Sequence, residues 1–118
     1  MGNVIVLFEV VSTKEGMNRY LELAKHLNQL VSGFDGFISA ERFQSLSEDG
    51  KLLSMNVWEN EEAVVRWRNI VEHRMGQQEG RDKLFQSYKI TIASAMREYT
   101  ANNRNQAPKD SNQYFGVS

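Results

Sequence analysis

Residues Val4–Val11 read VIVLFEVV, a run of β-branched and aromatic side chains that composes a strand. Successive side chains of a strand point to opposite faces. Val4, Val6, Phe8 and Val10 therefore form one row, and Ile5, Leu7 and Val11 form the other, broken only by Glu9. A strand with one wet face alternates apolar and polar residues cleanly, and this one does not. Both rows are apolar, so the sheet that holds this strand needs a cover on each side.

The following residues supply one cover. Ser12 and Glu15 have the spacing of a capping box at a helix start. Met17, Tyr20, Leu21, Ala24, Leu27 and Val31 then recur at helical spacing and predict an amphipathic helix ending at Ser32-Gly33. Gly33-Phe34-Asp35-Gly36 reads as a turn into a second strand, Phe37–Ser45. Glu48-Asp49-Gly50 is a hairpin turn and Lys51–Trp58 the return strand. On that strand Leu53, Met55 and Val57 share one face, while Leu52, Ser54, Asn56 and Trp58 share the other. Asn60 stands where it can cap a second helix, with Glu61 and Glu62 at the positive end of its dipole. Ala63, Val64, Trp67, Ile70 and Val71 give that helix its apolar stripe, which weakens around Gly76 and Gly80. Asp82–Phe85 reads as a short further turn, and Tyr88–Glu98 as the last strand.

The order β-α-β-β-α-β predicts an α+β, ferredoxin-like subunit: a four-stranded antiparallel sheet with both helices on one face. The other face is expected to carry Ile5, Leu7 and Val11 together with Phe37, Phe43, Leu52 and Trp58, leaving Val57 to the helices. A second copy of the chain is the natural cover for that face, so a homodimer through the sheets is expected. Residues 1–99 make up the expected domain. From Thr100 the chain turns rich in Asn, Gln and Ser and holds its only proline, Pro108, so residues 100–118 read as a polar tail.

Composition narrows the function classes. The chain has 118 residues, with 14 Lys+Arg against 15 Asp+Glu. No positive surplus exists to neutralise phosphates, so nucleic acid is not an expected partner. The absence of cysteine excludes disulfides, thiol nucleophiles and Cys-ligated metals. With only His26 and His73, a multi-His metal site within one chain is not expected. The longest apolar run, Val4–Phe8, falls far short of the ~20 residues of a membrane span, so the expected compartment is the cytosol.

Several stretches carry a family resemblance over about residues 3 to 99. They are Gly33-Phe34-Asp35-Gly36-Phe37, Asn56-Val57-Trp58-Glu59-Asn60-Glu61-Glu62-Ala63, Trp67 with Glu72-His73-Arg74, Gly80-Arg81, and Phe85-Gln86-Ser87-Tyr88. On these the chain resembles the antibiotic biosynthesis monooxygenase family of dimeric α+β barrels, which includes quinol monooxygenases and heme-degrading enzymes. The resemblance implies oxidation of a phenolic or quinol-like aromatic by O₂ without metal or flavin. An electron-rich phenolate can itself reduce O₂, so the protein need only deprotonate the phenol, stack the ring and exclude water. Polyketide-oxidising members have a Trp where Trp58 stands, an Asn where this chain has Ser54 and a Tyr where it has Val64. Heme-degrading members have a Trp that aligns with Trp67, but their Asn falls near Phe8 and their His near Gln77. The resemblance therefore leaves three readings: a cofactor-independent monooxygenase, a heme-binding and heme-degrading enzyme, and a ligand-binding dimer without chemistry.

The candidate site residues follow from side-chain chemistry. Trp67 suits either a core aromatic or the ring wall of a pocket. Trp58 suits either a pocket or the dimer interface. His73 follows Trp67 by roughly 120° around a helix and is either an exposed histidine or a general base titrating near neutral pH. Glu9 interrupts an apolar row, and either pairs with Arg42 or Arg97 or acts as a base with a raised pKa. Asn56 could orient a polar substrate atom or bind neighbouring backbone. His26, beside Lys25 and off the apolar stripe, reads as a surface residue.

Overall fold

A computed structural model describes residues 2–77, 87–114 and 116, with side chains for all of these but 74–77. The elements run β1 (Val4–Val11), α1 (Lys14–Val31), β2 (Phe37–Gln44), β3 (Lys51–Trp58), α2 (Glu61–Gln77), β4 (Ser87–Ser94) and α3 (Lys109–Tyr114). The strands form one antiparallel sheet in the order β2-β3-β1-β4, the ferredoxin-like α+β arrangement. The expected break at Gly80 and the turn at Asp82–Phe85 lie outside the described residues.

Each helix start has a local cause. The Thr13 hydroxyl, not Ser12, caps α1 by accepting from the Gly16 N–H at 3.1 Å. Ser12 is buried, and its N–H donates to the Gly50 carbonyl at 3.1 Å, which ties it to the hairpin turn and moves the cap one residue on. Asn60 caps α2 as expected, its Oδ1 accepting from Ala63 N–H at 2.8 Å. Gly36 lets α2 start close to the turn before β2. Its φ is +89°, and a Cβ there would stand 2.6 Å from the Ala63 Cβ.

Register decides which rows face the helices. Val4 pairs with Trp58, Val6 with Asn56, Phe8 with Ser54 and Val10 with Leu52. The helices pack on these rows in two clusters. One gathers Val10, Tyr20, Leu23 and Ala24, with Phe8 and Leu52 against it. The other gathers Val31, Trp58, Ala63 and Val64, with Val4, Val6, Phe34, Phe37 and Trp67 against it. Trp58 is fully buried there, its ring 5.4 Å from Phe37, 6.0 Å from Phe34 and 6.1 Å from Trp67.

The expectation that Phe37, Leu52 and Trp58 share the face of Ile5 and Leu7 therefore fails. Trp58 and Leu52 go to the helices because their row pairs with Val4 and Val10, and Val57 goes to the other face with Ile5. Phe37 goes with them because the pairing slips between Phe37 and Ser39, leaving Ile38 as an extra residue. Such a bulge inverts the parity of everything after it. Phe43 consequently stays beside Leu53 and Glu9 on the helix-free face, as expected.

The last strand stops at Ser94, short of the expected Glu98. Beyond it the chain folds on itself. Glu98 N–H donates to Gln106 Oε1 at 2.7 Å, and Arg104 donates to Asn112 and Ser111 at 3.0 and 2.8 Å. The Arg104 guanidinium also lies 4.9 Å from the centre of the Tyr99 ring. None of the α3 residues is buried.

Candidate functional site

The helix-facing side of the sheet carries a polar band between apolar rows. Two rows cross all four strands there: Arg42–Ser54–Phe8–Ile90 and Ala40–Asn56–Val6–Ile92. On either side lie Gln44–Leu52–Val10–Tyr88 and Phe37–Trp58–Val4–Ser94. Among the described residues, α1 and α2 cover the β3 and β1 part of this face but not β4. Tyr88, Ile90 and Ile92 remain 42%, 52% and 49% exposed although they point the same way as the buried core. The result is an apolar strip along β4 and β1, edged by the half-buried polar side chains of Asn56, Ser54 and Arg42.

Tyr20 roofs one end of the strip from α1. Its ring lies 6.0 Å from Phe8, which in turn lies 5.8 Å from Tyr88. Arg42 and Ser54 are the polar side chains that act on its hydroxyl. Burial pushes this phenol above its ordinary range, while Arg42 and Ser54 pull the other way. Tyr20 thus stays a neutral hydroxyl near pH 7.

A second concavity lies on the outside of the helices. Leu30, Phe34, Trp67, Asn69, Ile70 and His73 line an open groove of about 630 Å³. Trp67 and His73, chosen from helical spacing, do meet on its wall. His73 is exposed, and Trp67 is half-buried with its ring 5.3 Å from Phe34. His26 is exposed, as expected.

The five candidate residues therefore occupy four places. Trp67 and His73 share the groove, and Trp58 sits in the core behind them. Asn56 lies on the strip. Glu9 lies on the helix-free face, where it pairs with Lys89 at 3.1 Å and Lys51 at 3.6 Å, not with Arg42 or Arg97. Arg42 points to the opposite face, which forbids that pairing. The hydrogen bond from Lys89 and the charges of both lysines hold the Glu9 carboxyl below its ordinary value, against a smaller opposing effect of burial. A base would need the reverse shift. Tyr20, Arg42 and Ser54 were not singled out by sequence as a site. Their signal is the alternation itself: Ser54 and Asn56 interrupt the row of Leu52 and Trp58, and the hairpin register sets Arg42 opposite Ser54. Among the described residues no cluster of His, Asp or Glu could hold a metal ion, and no helix is long and apolar enough to cross a membrane.

This sheet, with a half-covered apolar strip under two helices, defines a small ferredoxin-like α+β protein. The family model of the antibiotic biosynthesis monooxygenases matches residues 2–79, and the chain belongs to that family. It is 34% identical over 97 residues to the jasmonate monooxygenase ABM of Pyricularia oryzae, covering 82% of this chain and 45% of that protein. The chain thus spans about half the length of this curated relative. Among solved structures, a Deinococcus radiodurans protein assigned to antibiotic biosynthesis monooxygenases superposes with a TM-score of 0.69 at 20% identity, over 82% of this chain and 96% of that one. SnoaB, a cofactor-independent oxygenase from Streptomyces nogalater, superposes with a TM-score of 0.65 at 10% identity, over 83% and 97%. At these identities the likeness is one of fold.

Proposed function

We propose that this chain is a cofactor-independent monooxygenase that oxidises an aromatic, quinol-like small molecule with O₂. We place its reaction on the helix-facing strip, in a cytosolic homodimer joined through the helix-free sheet faces. Membership of the family supports the reaction class. The observation that carries the location is the uncovered Ile90–Ile92 edge beside Asn56 and Ser54. A flat ring lies on the apolar strip, and the polar edge meets its oxygen. Strands stand about 4.8 Å apart, so from Asn56 to Ile92 is about 10 Å, the width of a fused aromatic. Without an external reductant the substrate supplies all four electrons. A ring C–H becomes C–OH, the two quinol hydroxyls become the quinone carbonyls, and the second oxygen atom leaves as water. The side chains then have three tasks: to hold the ring, to favour its electron-rich ionised form through hydrogen bonds, and to keep bulk water off the intermediate.

The groove supports a second location for the same reaction. There Trp67 stacks the ring and the His73 imidazole takes the phenol proton. The strip is the better site because Tyr20 roofs it, whereas His73 and Asn69 face solvent.

Oxygen uptake by metal-free protein with a panel of naphthohydroquinones tests the activity. Consumption of one O₂ per substrate above autoxidation is expected. No uptake above the blank would leave a ligand-binding dimer without chemistry. A saturable Soret band on hemin titration would favour heme binding. Asn56→Ala is expected to lower turnover by about 10²-fold, the scale of a lost hydrogen-bond donor to a developing oxyanion. A loss of about 10²-fold in His73→Ala, with Asn56→Ala unchanged, would move the site to the groove.

A further inference from the structure

Arg42 has an unusual setting for a half-buried cation. The sheet register sets it opposite Ser54, both act on the neutral Tyr20 hydroxyl, and among the described residues no carboxylate pairs with it. The acidic neighbour in sequence, Glu41, points to the other sheet face beside Met55. Removing a guanidinium from water without a counter-charge is costly, and an anionic ligand would offset that cost. Three donor types converge here: the guanidinium fork, a phenol that burial keeps protonated, and the Ser54 hydroxyl. A carboxylate has about four acceptor sites and matches a guanidinium bidentately.

The apolar strip begins on the same row. Arg42, Ser54, Phe8 and Ile90 lie on consecutive strands of one face, so the cation and the open isoleucine edge stand about 14 Å apart. A molecule with a carboxylate at one end and an apolar ring about 10 Å away spans that distance. We propose that Arg42, with Tyr20 and Ser54, is a carboxylate anchor, and that the ligand of the helix-facing strip is a small apolar acid. This rests on placing the site on the strip, and it deepens that reading by adding to the aromatic substrate a carboxylate remote from the reacting ring.

The test is calorimetric titration of the full chain with 7-phenylheptanoate and with its methyl ester. The acid is expected to bind at least 10-fold more tightly than the ester. Arg42→Met should remove that preference and leave the ester's affinity unchanged. Tyr20→Phe should weaken the acid by a few-fold, since one donor is lost and the ring remains. Arg42→Lys, which keeps the charge but not the fork, should recover part of the preference, and it serves if Arg42→Met fails to fold by circular dichroism. In the unaltered protein, the Arg42 side-chain Nε–H resonance should shift with the acid and not with the ester. Equal binding of acid and ester, no binding of either, or a preference that survives Arg42→Met overturns the anchor. Ionisation of bound 4-propylphenol, seen in its ultraviolet band and lost in Arg42→Met without any acid preference, would assign Arg42 to a phenolate and overturn the carboxylate. These binding results stand apart from oxygen uptake: an inert protein can still show the acid preference, and an active one can lack it.

Discussion

The two faces of one sheet place their polarity differently. On the helix-facing side the polar groups lie inside the apolar field: Arg42, Ser54 and Asn56 sit between the rows of Leu52 and Trp58, with Tyr20 at Arg42 and Ser54. On the helix-free side Ile5, Leu7, Leu53, Met55 and Val57 form a continuous half-buried patch, and the charges gather at one end as Glu9, Lys51 and Lys89. Polar groups set within an apolar field suit a site that orients a ligand. An apolar patch with charges at its margin has the anatomy of a protein interface, apolar at the centre and polar at the rim. One strand, β1, serves both faces, which is why neither of its rows is polar.

The largest expected effect comes from the helix-facing side. Trp58→Ala removes a fully buried indole that packs against Phe34, Phe37 and Trp67. Loss of about 3–5 kcal/mol is expected, a large share of the 5–15 kcal/mol typical of a domain. Urea denaturation should show a midpoint much lower than the parent's at the same protein concentration. A loss under about 1 kcal/mol would mean that the helices do not depend on this cluster.

Leu7→Lys probes the other side. Leu7 lies between Met55 and Thr91 in the middle of the patch. If a second copy covers this face, the lysine is buried without a partner, which costs roughly 3–5 kcal/mol, or more than 10²-fold in dimer dissociation. Sedimentation of the unaltered chain should give about twice 13.6 kDa, and the variant 13.6 kDa. Its unfolding midpoint should not vary with protein concentration, whereas the midpoints of the dimeric parent and of Trp58→Ala should. An unaltered chain that sediments as a monomer at micromolar concentration would break the comparison, leaving the patch as surface.

Local pattern made most elements readable. β1 and β3 match their expected bounds because composition and an Asp-Gly hairpin turn delimit them, and Asn60 marks the start of α2. What pattern could not supply was the side of the sheet that the helices choose. Parity places Ser54, Asn56 and Trp58 together, but both rows of β1 are apolar, so hydrophobicity does not say which one meets the helices. The bulge at Ile38 has no compositional mark, yet it alone separates Phe37 from Phe43. The Tyr20–Arg42–Ser54 cluster depended on both, since it joins an ordinary helix-stripe tyrosine to residues whose face was undecided. Trp67 and His73 were easier, because a helical angle is fixed by spacing alone.

The smallest expected effect is at the charged end of the helix-free face, and it depends on pH. Glu9 accepts from Lys89 at 3.1 Å and faces Lys51 at 3.6 Å, with its side chain 30% exposed. The Lys89 hydrogen bond is the leading cause of a carboxyl pKa below the ordinary 4.5. A depressed pKa in the folded state means that the unfolded chain takes up the proton first as pH falls. The contribution of Glu9 to stability is therefore fully present above the unfolded value and is lost as pH falls through the folded one. Glu9→Gln should lower the melting temperature slightly near pH 7, and the gap to the parent should close as pH falls below the ordinary carboxylate value and through the depressed folded one. Added salt at neutral pH should narrow the gap as well, since a partly exposed pair is screened. If the two faces meet in a dimer that dehydrates this end, the gap at neutral pH should resist salt. The salt series on Glu9→Gln therefore distinguishes an ion cluster at a wet rim from one sealed inside the interface. A variant more stable than its parent at neutral pH would show that burial outweighs both lysines.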